Sequence, residues 1–220
     1  MYQTIVTGGS GLLGTELKKY FPDAFYPSHK DLDISKGFNI YSKPSLVIHC
    51  AALKVNACDQ DPVQAMRTNI LGTCNVVNFC HKTKAKLIYI STDCVFSGER
   101  GNYKIDDDFN PVSYYGMTKL AGELAVKALK EHLIIRLSFF PNEFPYDKAF
   151  TDQITTRMTV AEAAKRIFDN KEKIGTIHLA GKKQSLYDFA VETSPAGRKI
   201  EQILIKNFPV KRPKDTSLVE

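Results

Sequence analysis

Tyr115 and Lys119 stand four residues apart in Tyr-Gly-Met-Thr-Lys, at the head of a helix-favouring run, Leu120-Ala121-Gly122-Glu123-Leu124-Ala125. Four residues make about one helical turn, so both side chains share a face. A phenol with an ordinary pKa of about 10 exchanges protons poorly near neutrality, and a neighbouring ammonium is expected to lower that value by favouring the phenolate. Upstream, the apolar run Leu87-Ile88-Tyr89-Ile90 breaks off at the hydroxyls of Ser91 and Thr92. Thr92 would then end a strand where it can orient a carbonyl oxygen against the phenol. A proton donor, its tuning cation and a hydrogen-bonding hydroxyl suit proton transfer at a carbonyl or an alcohol. The pair by itself decides little, because any helix can carry Tyr-x-x-x-Lys as a surface pair, and for two residues alone that reading is the commoner one.

Positioning this chemistry requires a scaffold. Thr4-Ile5-Val6-Thr7 reads as a buried strand entering Gly8-Gly9-Ser10-Gly11-Leu12-Leu13-Gly14, after which Thr15 to Tyr20 follows a helical pattern. The glycines allow a tight turn, let backbone approach a pyrophosphate and let the helix lie close to the strand, with its N-terminus facing the phosphates. The spacing is G-x-x-G-x-x-G, not the commoner G-x-G-x-x-G; between a strand and a helix it favours a dinucleotide site over a plain turn. A second strand, Ala24 to Tyr26, leads to Ser28-His29-Lys30, where an acid would hold the ribose of NAD. None stands there, which favours NADP(H) over NAD(H), although Asp31 follows at once and a solvated turn reads these residues equally well. Leu32-Asp33-Ile34 resembles a short strand, with Asp33 capping a loop or touching adenine.

Leu46 to Cys50 forms another apolar strand, ending at Ala51-Ala52, with His49 read as a satisfied core histidine. Asp61-Pro62 starts a long helix through about His81 that carries Asn69 and Gly72. Asp106 to Asp108 read as a solvated turn. Leu133 to Leu137 adds a strand, and from Phe139 to Thr156 the pattern dissolves into a loop-rich lid. Thr159 caps a helix of Val160 to Asn170, Thr176 to Leu179 gives a last strand, and Ser185-Leu186-Tyr187-Asp188 forms a capping box. The tail from Pro195 is basic, and Lys211, Arg212 and Lys214 read as a solvated tail in preference to a diphosphate clamp. Strands alternating with helices predict an α/β fold with a doubly wound parallel sheet.

With 220 residues, 43% hydrophobic and 25% charged, the chain suits one principal globular core with a small appended lobe. No apolar run reaches the roughly 20 residues of a membrane span, and the immediate start of a strand leaves no room for a signal peptide, so a cytoplasmic location is expected. Cys50, Cys58, Cys74, Cys80 and Cys94 are odd in number and lack a C-x-x-C pair, which fits free thiols and no metal. The net charge of +6 is spread along the chain and suits an anionic small molecule, not nucleic acid.

Taken together, Thr7 to Gly14, Leu32-Asp33-Ile34, Ser91-Thr92-Asp93-Cys94-Val95-Phe96, Tyr115 to Glu123 and Arg212-Pro213-Lys214-Asp215-Thr216-Ser217-Leu218 resemble an extended short-chain dehydrogenase/reductase of the dTDP-4-dehydrorhamnose reductase family. The resemblance implies a Rossmann-type sheet over residues 1–138, completed by 159–180, and a small C-terminal substrate-binding lobe from 139–158 and 181–220. It implies catalysis by Thr92, Tyr115 and Lys119, with Lys119 also on the nicotinamide ribose. Gly8, Ser10, Gly11, Leu12 and Leu13 would hold the pyrophosphate, Asp33 and Ile34 the adenine, and Cys50, Ala51 and Ala52 the strand end beside the cofactor. Leu137, Ser138 and Phe139 would lie by the nicotinamide, with Lys54 and Asn69 completing the cofactor set. Lys54, Thr92, Cys94, Tyr115 and Phe139 would face the substrate. The implied activity is NAD(P)H-dependent reduction of a nucleotide-linked 4-keto sugar, with a nucleotide-diphosphate sugar as partner, a homodimer allowed, and no membrane. Cys94 and Phe139 depart from the family's usual tyrosine and tryptophan, and the lid lacks its usual helix. The alternatives are a nucleotide-sugar epimerase or dehydratase of the same fold, or a non-catalytic NAD(P)-binding regulatory subunit resembling the beta subunit of methionine adenosyltransferase.

Overall fold

The computed structural model describes residues 2–208 and 212–220, so Lys211 lies outside the described residues. In chain order the elements are β1 (Thr4–Thr7), α1 (Leu12–Leu17), β2 (Leu46–His49), α2 (Val55–Gln60), α3 (Pro62–Ala65), a π-helical turn Met66–Leu71, α4 (Gly72–Thr83), β3 (Lys86–Thr92), α5 (Tyr114–Val126) and β4 (His132–Leu137). The remainder comprises β5 (Phe139–Phe140), β6 (Lys148–Phe150), β7 (Ile154–Thr155), β8 (Met158–Thr159), α6 (Val160–Asp169), β9 (Gly175–Leu179), β10 (Gln184–Ser185), α7 (Leu186–Thr193) and β11 (Glu201–Ile203).

Five parallel strands form the central sheet in the order β1-β2-β3-β4-β9. Their near-continuous apolar sequences reflect burial on both faces. One face carries Leu13 and Leu17 of α1 with Ala163, Ala164 and Ile167 of α6. The other carries Val76, Phe79 and Cys80 of α4 with Val126 of α5. Beyond β1 the expected strand at Ala24–Tyr26 shrinks to one parallel bridge, Ile5 to Phe25, held by two backbone bonds. Leu32-Asp33-Ile34 is not a strand: Asp33 Oδ1 accepts from the backbone and the hydroxyl of Ser35, closing a turn. The long helix expected after Asp61 is present but interrupted by the π turn, and α2 precedes it. Asp61 caps α3 through Gln64, Thr159 caps α6, and Ser185 caps α7.

The lid segment folds into short strands without a helix: β5 pairs with β8, β6 with β11 and β7 with β10. Phe144, Ala149, Phe150, Leu186, Phe189, Ala190 and Ile200 make a second small core. Lys214 is exposed, as a solvated tail requires, and Arg212 is half-buried, but the residues beyond them turn inward. Thr216, Ser217 and Leu218 are buried, Leu218 joins Val95, Phe96 and Tyr103, and backbone bonds tie the tail to Tyr103, Gly98 and Ile154. The consecutive Thr216, Ser217 and Leu218 outweigh the tail's charges once a groove is available to receive them. Arg212 lies with its guanidinium over the Phe208 ring. All five cysteines are free, and no helix among the described residues is long and apolar enough to cross a membrane.

His49 is buried with both ring nitrogens engaged, by Thr7 at 2.7 Å and Thr73 at 3.1 Å. Because the Thr73 hydroxyl donates to Asn69 O, it accepts from Nε2, leaving Nδ1 to accept from Thr7. Burial, and then the charge of Lys119, push the imidazole pKa down to about 3. An unfolded histidine titrates near 6.5, so between these values the unfolded chain takes up the extra proton and stability is lost as pH falls. Urea unfolding should show wild type losing about 2 kcal/mol more than His49→Gln between pH 7 and pH 5. Equal losses would remove His49 as the cause.

Candidate active site

All five sheet strands point their carboxyl ends to one edge, and the predicted chemistry gathers there. β1 ends at Thr7, β2 at His49, β3 at Thr92 and β4 at Leu137, with Thr92 registered against Leu137. Beside β1 the chain crosses from the Phe25 side to the β2 side, which makes the crevice a topological switch point. Gly8 adopts φ +68°, and a Cβ there would lie 2.7 Å from Ala51 N, so only glycine lets the loop close against the end of β2. A cleft of about 90 Å³ follows, lined by Thr7, Gly8, Ser10, Pro27, His29, Leu32, Asp33, Ile34, Ala51 and Thr68. Gly11 caps α1 without a side-chain bond.

Of the three residues read as a phosphate pocket, His29 alone lines the cleft. The Ser28 hydroxyl donates to Asp31 Oδ2 at 2.6 Å, and Lys30 is exposed. Gly11 is exposed and does not line the cleft, Leu12 packs partly buried against the sheet core, and Leu13 is buried in it. Cys50, Ala51 and Ala52 follow directly on β2, Ala51 alone of the three lining the cleft, and Lys54 is exposed at the N-cap of α2. Asn69 is placed differently from a cofactor ligand. It is 1% exposed, its Oδ1 accepts from Leu53 N at 2.8 Å, and its amide donates to Leu53 O and to Thr118 Oγ1. Its amide is spent on protein partners, and its part is to hold the loop after β2 against α5. A wider depression of about 560 Å³, between Lys182–Gln184 and α7, contains none of these residues.

Ser113 caps α5, and Tyr115 and Lys119 follow on its sheet-facing side. Thr92 Oγ1 donates to Asp93 Oδ1 at 3.1 Å and accepts from Cys94 N at 3.2 Å, fixing its rotor. The Tyr115 phenol is enclosed although part of the ring stays exposed. Its pKa lies above the ordinary value, first through burial, then through Cys94 and Asp93, with only a hydrogen bond to Thr92 pulling it down. Lys119 is not among the causes, so the lowering expected from a neighbouring ammonium is not seen. Lys119, 3% exposed, directs its ammonium at the Tyr89 ring, 3.9 Å from the centroid, and burial brings its own pKa down to about 7. The Cys94 thiol is enclosed beside Tyr115, and burial pushes it up to about 12. Leu137 is buried, Ser138 and Phe139 are half-buried, and Phe139 pairs with Met158 above the same edge.

With this geometry in place, the comparisons are specific. A family model described as RmlD substrate binding domain matches residues 2–158. The chain belongs to this family. Among RmlD-related proteins, dTDP-4-dehydrorhamnose reductase of Mycolicibacterium smegmatis is 36% identical over 136 residues, covering 57% of this chain and 42% of that protein. Methionine adenosyltransferase 2 subunit beta of Xenopus tropicalis is 32% identical over 141 residues, covering 56% of this chain and 42% of its own length. The chain thus aligns with less than half the length of these curated relatives. Among solved structures, dTDP-4-dehydrorhamnose reductase from Bacillus anthracis, in complex with NADP, superposes with a TM-score of 0.88 at 28% identity, covering 100% of this chain and 90% of that one. A Clostridium acetobutylicum dTDP-4-dehydrorhamnose reductase gives 0.86 at 29% identity, covering 98% and 89%.

Three features of the RmlD-type site escaped sequence reasoning. Pro27 and Thr68 line the cleft with no motif to mark them. Tyr89 reads as one more apolar strand residue until the helix brings Lys119 over it. Glu123 and Arg136 form a buried pair at 2.9 Å, to which Ser91 Oγ donates at 2.5 Å and which Arg136 extends to Ile105 O. Breaking it leaves an uncompensated buried charge. Glu123→Gln should cost about 3–5 kcal/mol in urea unfolding, and a loss under about 1 kcal/mol would show the pair does not hold α5 in place.

Proposed function

We propose that the protein is an NADP(H)-dependent reductase of a nucleotide-linked 4-keto sugar. The observation that carries this reading is the convergence of Thr92, Tyr115 and Lys119 on the edge where the Gly8 loop opens its cleft. Gly8, Ser10, Gly11, Asp33, Ile34 and Ala51 would hold the dinucleotide, whose nicotinamide supplies the hydride. Tyr115 donates a proton to the keto oxygen, and its raised pKa keeps the phenol protonated until the substrate oxygen gains negative charge. Thr92, whose hydroxyl proton points to Asp93 in the resting site, would turn it to donate to the same oxygen and orient it. Lys119, poised near neutrality by burial, supplies the nearby positive charge and a ribose contact. Cys94 and Phe139 would face the sugar, and the lobe of residues 139–158 and 181–220 would close over it.

The preference for NADP(H) rests on His29 at the cleft and Lys30 beside it, opposed by the Asp31 carboxylate that Ser28 already engages. Calorimetric titration should give tighter binding of NADPH than NADH, and equal or reversed affinities would leave Asp31 dominant. The second reading, a non-catalytic regulatory subunit, draws on the likeness to methionine adenosyltransferase 2 subunit beta. Incubation with NADPH and a panel of nucleotide 4-keto sugars separates the two. Tyr115→Phe should leave NADPH affinity within about twofold while lowering kcat by about 100-fold or more, and Lys119→Ala should weaken both. Wild-type protein that binds NADPH but turns over no keto sugar would sink the reductase reading.

A further inference from the structure

The Lys119 ammonium is almost fully buried, and no carboxylate among the described residues pairs with it. The groups that face it can be taken element by element. On α5, the Glu123 carboxylate is occupied by Arg136 Nε and Nη2 and by Ser91, and the Tyr115 phenol stays protonated. At the end of β2 His49 is pushed down to about 3, and just beyond it the Cys50 thiol is pushed up to about 12, so both are neutral near pH 7. On α2, Cys58 is also raised, first by burial, and stays a thiol. What remains is β3, which presents the face of Tyr89 to the nitrogen at 3.9 Å. The approach is built into the packing. A Cβ at position 122 would lie 2.2 Å from the Tyr89 hydroxyl, so Gly122 lets α5 settle on the ring, and that hydroxyl donates to Lys119 O at 3.3 Å.

We propose that Tyr89 is the positioning residue of Lys119: its ring face holds the ammonium by a cation–π contact and keeps it protonated in a site whose nearby carboxylate, Glu123, is engaged by Arg136. A ring quadrupole is worth most when the cation is desolvated, as here. The contact therefore favours the charged form against burial. Its consequence for turnover rests on the reductase reading of Lys119, whereas the contact itself does not.

The test reads Lys119 directly in the full-length, cofactor-free protein. Lysine labelled with 13C at the ε carbon reports each titration, and the Lys119 signal is assigned by its loss in Lys119→Met. Wild type and Tyr89→Phe, which keeps the ring, should titrate alike, near pH 7. Replacing residue 89 with phenylalanines of increasing fluorination empties the ring face of negative potential at nearly constant shape. The midpoint should fall stepwise, by about one pH unit at full fluorination. Tyr89→Leu should shift it in the same direction, and the fluorinated series decides the matter if that variant does not fold. A midpoint that stays with Tyr89→Phe across the fluorinated series would overturn the inference, since a merely structural role for the ring predicts no dependence on its electron density. Keto-sugar turnover by wild type is scored separately, so failure of one reading is distinguishable from failure of the other.

Discussion

Glu123 and Arg136, with side chains 1% exposed, meet in the middle of the protein, between α5 and the strand beside it. Taking two charges out of water costs several kcal/mol each, and mutual attraction offsets that only when every remaining donor and acceptor is also satisfied. Here Ser91 donates to the carboxylate, Ile105 O and His178 accept from or face the guanidinium, and Phe96 and Phe109 cover its faces. His178 in turn reaches Val219 O. The pair thus joins α5, β3, β4, β9 and the tail in one network whose geometry admits little variation. Since Tyr115 and Lys119 ride on α5 and Thr92 ends β3, their mutual placement depends on this pair more than on any local propensity.

The same exclusion of water sets the chemistry. Burial raises the Tyr115 phenol and the Cys50 and Cys94 thiols while lowering Lys119 and His49, so near neutrality the phenol, the two thiols and the imidazole are uncharged. A charge introduced by substrate or cofactor would meet few competing ions and few mobile waters, and fixed dipoles are worth more there than in solution. Asn69, Thr118 and Leu53 extend the principle to neutral groups: a buried amide with its hydrogen bonds satisfied holds the loop after β2 without adding charge.

Where the structure departs from expectation, the reasons are physical. The Ala24–Tyr26 strand and the Leu32–Ile34 strand lie at the open side of β1, where only one neighbour is available, so a bridge and a turn suffice. The tail sits down because Ser217 and Leu218 find a groove beside Tyr103. Ser28 turns to Asp31 because a serine hydroxyl three residues from a carboxylate closes a local bond without cost in chain ordering.

The sequence by itself determined the strand–glycine loop–helix opening, the alternation of strands and helices, the caps at Asp61, Thr159 and Ser185, and the shared face of Tyr115 and Lys119. These are local: periodicity, φ tolerance and capping act over a few residues, and their signals are written where they act. Only the tertiary structure decided that Lys119 faces Tyr89, thirty positions away, that Glu123 meets Arg136, that Asn69 turns inward, and that the Tyr115 pKa goes up. Each depends on which side chains lose their water together, a property of the packed core that no spacing along the chain records.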